Sequence, residues 1–414
     1  MAWSAGASNS VWLSIAELSN NWRSKGTLKK SMNTISISRR QFARLLGAGA
    51  AVAAVRPALS LAVTPATTPV TPPITGATVV RLSSNENPYG PSTKALKSMT
   101  DAFGVACRYP DGQAEALVES LAKLNGVSGD QILLGDGSSE ILKLCAVAFT
   151  GAMTNEKTAG RGNLVAADPT FEAILNYAKV NGADVVKVPL TSSYGHDLAK
   201  MGAAAKEGLV YICNPNNPTA SITPKKELRD FIQKTPRETM ILVDEAYFHY
   251  ADSPDYESVI PLIKDHPNLL VARTFSKIFG MAGLRCGYCV AQKETIERMR
   301  PHQMWDSVNV MALVAAKSNL EDPDQLANGR RWNSEARAFV IGELDKMGHK
   351  QIPSQANFIM FDLKRPVVPV IQAMKQRNVQ VGRLFPALPN HMRLTIGKKT
   401  EMEAFLTAFR QVMV

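Results

Sequence analysis

The chain has 414 residues, 45% of them hydrophobic and 20% charged, a composition that buries a large core and excludes a disordered or fibrous protein. Its formal charge of +11 invites a nucleic-acid partner. Residues 1–62 hold eight Lys or Arg against one acid, however, and so carry +7 of that charge, leaving +4 for the remainder and pointing away from nucleic-acid binding.

Near the start, Ser38-Arg39-Arg40-Gln41-Phe42 precedes an apolar Gly/Ala-rich run from Leu45 to Val55 that is too short to span a bilayer. The segment resembles a twin-arginine export signal, and Ser60-Leu61-Ala62 offers the small residues a signal peptidase needs. Residues 1–62 are thus expected to be a signal peptide, with Met32 as an alternative start. The mature protein is expected to be periplasmic and to have no stable membrane insertion; a silent signal would leave it cytoplasmic. Residues 63–76, rich in Thr and Pro, read as an extended linker. Five cysteines show no metal-ligand spacing and read mostly as buried thiols, so no metal is expected.

From about Ala77 short apolar runs alternate with helical patterns: a helix from Glu115 to Leu124, a strand at Ile132-Leu133-Leu134, a helix from Glu140 to Phe149 and a strand at 163–166. Further strands are expected at 185–188, 209–213, 240–243 and 269–273. This alternation predicts an α/β fold with a mainly parallel sheet covered on both faces, and ligands of such sheets collect at the carboxyl ends of the strands. The expected division is an N-terminal arm with part of a small domain over 77–114, a large domain over 115–300 and a C-terminal small domain over 301–414.

The loops after these strands carry the unusual residues. Gly135-Asp136-Gly137-Ser138-Ser139-Glu140 opens a helix, where backbone N–H groups and hydroxyls make a phosphate cradle, although ordinary capping accounts for Ser138 equally well. Asn214-Pro215-Asn216-Asn217-Pro218-Thr219 is a turn able to present an asparagine amide. Asp244-Glu245-Ala246-Tyr247 brings a carboxylate to the end of an apolar strand, suited to keeping a pyridine nitrogen protonated. The same pair could hold magnesium in a nucleotide hydrolase, but the chain has no G-x-x-x-x-G-K-[ST]. Thr274-Phe275-Ser276-Lys277, with Arg285 eight positions on, fits a lysine held beside a phosphate.

With Asn85-Glu86-Asn87-Pro88-Tyr89-Gly90-Pro91, Arg108-Tyr109-Pro110-Asp111-Gly112 and Gly283-Leu284-Arg285-Cys286-Gly287-Tyr288, these motifs resemble the class I/II aminotransferases, in their histidinol-phosphate aminotransferase-like branch. The resemblance implies the fold of type I enzymes dependent on pyridoxal 5'-phosphate (PLP): a large domain with a seven-stranded sheet between helices, plus a smaller α/β domain. It implies that Lys277 carries PLP as a Schiff base and then moves the proton, that Asp244 pairs with the ring nitrogen, and that Tyr247 and Asn217 bond the ring oxygen. Phe171 would stack on the ring, while Ser138, Ser139, Ser276 and Arg285 would hold the phosphate. Tyr109 would reach the cofactor of a partner subunit, implying a homodimer. Arg393, in Met392-Arg393-Leu394-Thr395, would bind the substrate's carboxylate or phosphate, with Arg383, Tyr89 and Asn87 as further substrate residues.

The implied function is transfer of an amino group between an amino acid, or an amino-alcohol phosphate, and a 2-oxo acid. A decarboxylase or lyase of the same fold, and a non-catalytic PLP-sensing module, are the alternatives. Two departures leave the substrate open: Ala220 stands where the family usually has glycine, and the Leu384–Pro389 loop is short. Export also points away from histidinol phosphate, an intermediate of a cytoplasmic pathway.

Overall fold

A strand buried on both faces needs a continuous apolar run, and Leu209-Val210-Tyr211-Ile212-Cys213 is one in which all five residues are buried. The computed structural model describes residues 79–151 and 162–414, so the expected signal peptide, its twin-arginine motif and the Thr/Pro linker lie outside the described residues.

In chain order the first elements are β1 (Val80–Arg81), α1 (Thr93–Ala102), α2 (Asp111–Asn125), β2 (Ile132–Gly135), α3 (Gly137–Phe149), β3 (Leu164–Asp168), α4 (Ala173–Val180) and β4 (Val185–Pro189). Next come α5 (Leu198–Ala204), β5 (Leu209–Cys213), α6 (Lys225–Lys234), β6 (Met240–Asp244), β7 (Leu269–Thr274), β8 (Gly287–Val290), α7 (Lys293–Met299) and α8 (Val310–Leu320). The chain finishes with α9 (Pro323–Lys346), β9 (Gln351–Ile352), β10 (Phe358–Asp362), α10 (Val367–Gln376), β11 (Val379–Gln380), β12 (His391–Thr395) and α11 (Lys399–Met413).

Among the described residues, seven strands make one sheet in the order β2-β8-β7-β6-β5-β3-β4. Strand β8 runs antiparallel to both its neighbours, and the other pairings are parallel. Alternate residues feed two cores. Val210, Ile212, Ile241 and Val243 pack on one face; Leu209, Tyr211, Leu242 and Ala272 pack on the other, with α3 and α4. Each such aliphatic side chain taken from water stabilises the fold by about 1.5–3 kcal/mol.

A third core joins Leu82 to Val340, Phe361, Leu394 and Phe405, around the antiparallel sheet β12-β10-β9 and the parallel pair β1-β11. The part from residue 301 onward feeds more than one core. Helix α8 packs Ala312, Leu313, Ala315 and Ala316 into a core of the large sheet, as α1 does with Ala95, whereas the third core draws on the C-terminal part only from Ala336 onward.

Candidate active site

Strand β6 ends at Asp244, which is 3% exposed. Its carboxylate accepts from the Tyr211 hydroxyl at 2.9 Å and from the Ala246 N–H at 3.1 Å, and it has no ion pair among the described residues. Burial pushes its pKa up to about 6, while the Tyr211 and Ala246 hydrogen bonds pull it down. After β7, Lys277 donates from Nζ to the Asn85 carbonyl at 3.1 Å. Burial first, and the Arg393 guanidinium next, lower its pKa to about 8. The Tyr247 hydroxyl accepts from Asn85 Nδ2 at 3.0 Å and from Asn217 Nδ2 at 3.4 Å.

Helix α3 begins with Asp136 as its N-cap, without a side-chain capping bond. Ser138 is therefore not the cap, and the ordinary explanation for it falls away. Gly137 has φ 71°, and a Cβ there would lie 2.1 Å from Arg285 Nη2, so glycine is what lets the guanidinium rest against the start of the helix. Arg285 itself has φ 60°, a left-handed conformation that is uncommon for a non-glycine residue and concentrates at functional sites. It donates to the Ala282 carbonyl at 3.1 Å and to Ser276 Oγ at 3.4 Å.

These groups line one cavity of about 300 Å³: Ser138, Ser139, Phe171, Asn217, Asp244 and Tyr247 on one part of the wall, and Ser276, Lys277, Arg285 and Arg393 on another. Four roomier hollows, of about 340 to 600 Å³, lie elsewhere among the described residues, and none of them has a buried carboxylate in its wall. Arg393 donates to Asn217 Oδ1 at 2.7 Å and to the Ser83 carbonyl at 2.6 Å, yet its buried Nε has no partner. Burial lowers its pKa. Among the described residues no carboxylate pairs with it. A half-buried guanidinium whose buried Nε has no partner is suited to an incoming anion.

Four residues expected at the site do not line the cavity. Asn87 instead donates to the Ile278 carbonyl at 2.8 Å, clamping the loop that carries Lys277. Tyr89 stacks on Trp332 with ring centroids 4.2 Å apart. Arg383 pairs with Glu172 and lies over the Phe385 ring, on which Arg393 also rests. Tyr109 is 80% exposed and stays away from the cavity of its own chain.

The sequence reading missed Asn85, whose backbone carbonyl meets Lys277 and whose amide meets Tyr247. It is buried at φ 54°, with Thr395 Oγ1 accepting from its N–H and donating to its Oδ1. Asn85 opens the Asn85–Pro91 motif, but nothing in the sequence assigned it a role, since its partners lie 162 to 310 positions away.

The donor set fits PLP. Asp244 is a buried carboxylate with no counter-cation bonded to it, Gly137 leaves room for a cradle of helix N–H groups and guanidinium, and a lysine amine faces the same cavity. Residues 77–409 match the family model for aminotransferase class I and II. The chain is similar to the histidinol-phosphate aminotransferase of Moorella thermoacetica, 36% identical over 81% of this chain and 86% of that one. It is likewise 38% identical to histidinol-phosphate aminotransferase 2 of Pseudomonas fluorescens, over 81% of this chain and 90% of that one. The crystal structure of histidinol-phosphate aminotransferase from Sinorhizobium meliloti in complex with pyridoxal-5'-phosphate superposes with a TM-score of 0.74 at 25% identity, covering 81% of this chain and 91% of that chain.

Proposed function

This chain belongs to the class I and II aminotransferases, which depend on PLP, and from that premise we propose that its amino donor is an amino acid or amino-alcohol phosphate whose anionic group is held by Arg393. The observation that carries this reading is the half-buried, carboxylate-free Arg393 guanidinium, its buried Nε without a partner, facing the same cavity as Lys277. A planar fork of donors suits a carboxylate or a phosphate, so both classes of donor remain within reach of one site.

When bound, PLP supplies an aldehyde that condenses with amines and a pyridinium ring that takes up an electron pair. With the cofactor bound, Asp244 would hold the ring nitrogen protonated, and Tyr247 and Asn217 would hold the ring oxygen. Ser138, Ser139, Ser276 and Arg285 would bind the phosphate, while Phe171 would cover a ring face. The Lys277 amine, facing the same cavity, would take a proton at Nζ from the substrate carbon and give it back from the same nitrogen. A lysine whose pKa burial has lowered to about 8 is suited to this, because about a tenth of it is neutral at pH 7, far more than of an ordinary lysine, and able to accept a proton.

The test is the visible spectrum of the purified holoenzyme titrated with amino acids and amino-alcohol phosphates, histidinol phosphate among them. The expected result is donor-dependent loss of the cofactor's visible band, its return with a 2-oxo acid, and neither change in Lys277→Ala. A lysine-bound cofactor that no donor converts, accompanied by release of carbon dioxide, would overturn transamination.

The same proposal includes a homodimer whose sites take Tyr109 from the partner subunit, supported by the exposure of Phe103, Tyr109, Met304 and Trp305, the last two of which line a hollow of about 530 Å³. It also includes export of the folded protein, supported by the Arg39-Arg40 leader.

A further inference from the structure

Tyr211 and Cys213 of β5 and Cys145 of α3 each feel the charge of Asp244, and of these Tyr211 donates a hydrogen bond to it. Residues 209, 211 and 213 of β5 share a face with 240, 242 and 244 of β6, because Cys213 pairs with Asp244 in parallel register and Tyr211 lies two residues upstream. A phenol reaching diagonally along that face meets the carboxylate from inside the core. Tyr211 is fully buried, donates to Asp244 Oδ2 at 2.9 Å, and is not part of the cavity wall, whereas Asp244 and Cys213 are.

We propose that Tyr211 is a positioning residue for the cofactor: its buried hydroxyl, bonded to Asp244 from beneath the cavity, holds that carboxylate aimed and charged so that it keeps the ring nitrogen of PLP protonated. The inference rests on the PLP reading above. The Ala246 N–H holds the other oxygen, Oδ1, at 3.1 Å, and among the described residues Tyr211 is the side chain that donates to the carboxylate. Lys277 is the cation acting on Asp244, and its amine bonds the Asn85 carbonyl instead. Glu245, next in the chain, works against the charge of Asp244. The Cys145, Cys213, Tyr247 and Tyr256 side chains are uncharged, since burial pushes each of their pKa values up. Burial also raises that of Tyr211 itself, so its hydroxyl stays a donor throughout the working pH range.

Without that donor the carboxylate becomes more basic, and the shared proton moves from the ring nitrogen toward Asp244. A ring nitrogen that has lost its proton is a weaker electron sink, so the loss falls on the chemical step and leaves substrate binding at Arg393 intact.

The experiment uses holoenzyme reconstituted with nitrogen-labelled PLP and reads the ring nitrogen's magnetic resonance shift, together with kcat and KM, in the parent, Tyr211→Phe and Asp244→Asn. In Tyr211→Phe the shift is expected to move toward the deprotonated position, and kcat to fall about tenfold at unchanged KM, the size of one hydrogen bond to a charged group. An isosteric ring-fluorinated tyrosine at position 211, a stronger donor that keeps the packing, should move the shift the opposite way. It also supplies the answer if the phenylalanine variant folds poorly. A parental nitrogen shift and kcat in Tyr211→Phe, or the same direction of change in both variants, would overturn the proposal. A parent whose ring nitrogen is unprotonated, or whose signal Asp244→Asn leaves unmoved, would overturn the Asp244 assignment beneath it.

Discussion

Burial raises the pKa of Asp244 from 3.8 to about 6, so in the fold without cofactor the charged form is the disfavoured one. The folded state then binds more protons than the unfolded chain between about pH 4 and pH 6. Stability without PLP should fall as pH rises through that window, and the penalty should be complete above it. Asp244→Asn is expected to raise the stability of the cofactor-free protein by about 1–3 kcal/mol at pH 7, an advantage that fades below pH 6, while activity is lost. Urea unfolding of both proteins at several pH values checks this, and a less stable variant at pH 7 would contradict it. Asn85→Gly tests a different contact. Glycine accepts φ 54° and keeps the carbonyl for Lys277, but the bond to Tyr247 disappears. Steady-state kinetics should show kcat reduced about tenfold with the fold retained.

Helix α3 and the loop after β7 show how elements, rather than single side chains, build the cradle. Adding a Cβ at Gly137 would force Arg285 away from the start of the helix, so Gly137→Ala should weaken PLP binding about ten- to a hundredfold by fluorescence titration. An unchanged affinity would mean that Arg285 does not hold the phosphate. At this scale the sequence was readable where a physical period or a continuous apolar run existed. Strands β5, β6 and β7 lie where Leu209, Met240 and Leu269 open apolar runs, because a strand covered on both faces cannot hide its composition. The loops after them were readable through residue types that chemistry demands, Asp244 and Lys277 above all. Asn85 was not readable, since an irregular arm has no period and its value lies in contacts made across the fold. Asn87 and Tyr89, in the same motif, were assigned to substrate, but their side chains serve the loop at Ile278 and the Trp332 ring. Ala220 shows the reverse: it has φ 60°, which explains why glycine suits that turn and shows that this chain adopts the same backbone with a methyl group attached.

Across the whole molecule, the exposed Tyr109 and the Lys277 cavity of one chain become a test of assembly. Neither Tyr109→Ala nor Lys277→Ala should be active alone. If Tyr109 acts in the partner's site, mixing the two after reversible dissociation should restore about a quarter of the parental activity, because half the dimers are then mixed and each of these has one intact site. No recovery, with mixed dimers demonstrated, would mean that Tyr109 does not act across the interface. The N-terminal arm has a consequence for maturation. Val80 and Arg81 pair with Val379 and Gln380, Leu82 enters the third core, and Asn85 follows within three residues. A peptidase nibbling inward from the N-terminus would thus find no gradual decline once it passed Val79. The next few bonds separate an enzyme from one whose lysine has lost its resting place, so processing of this chain should give sharply bounded products, with activity ending abruptly between residues 79 and 85.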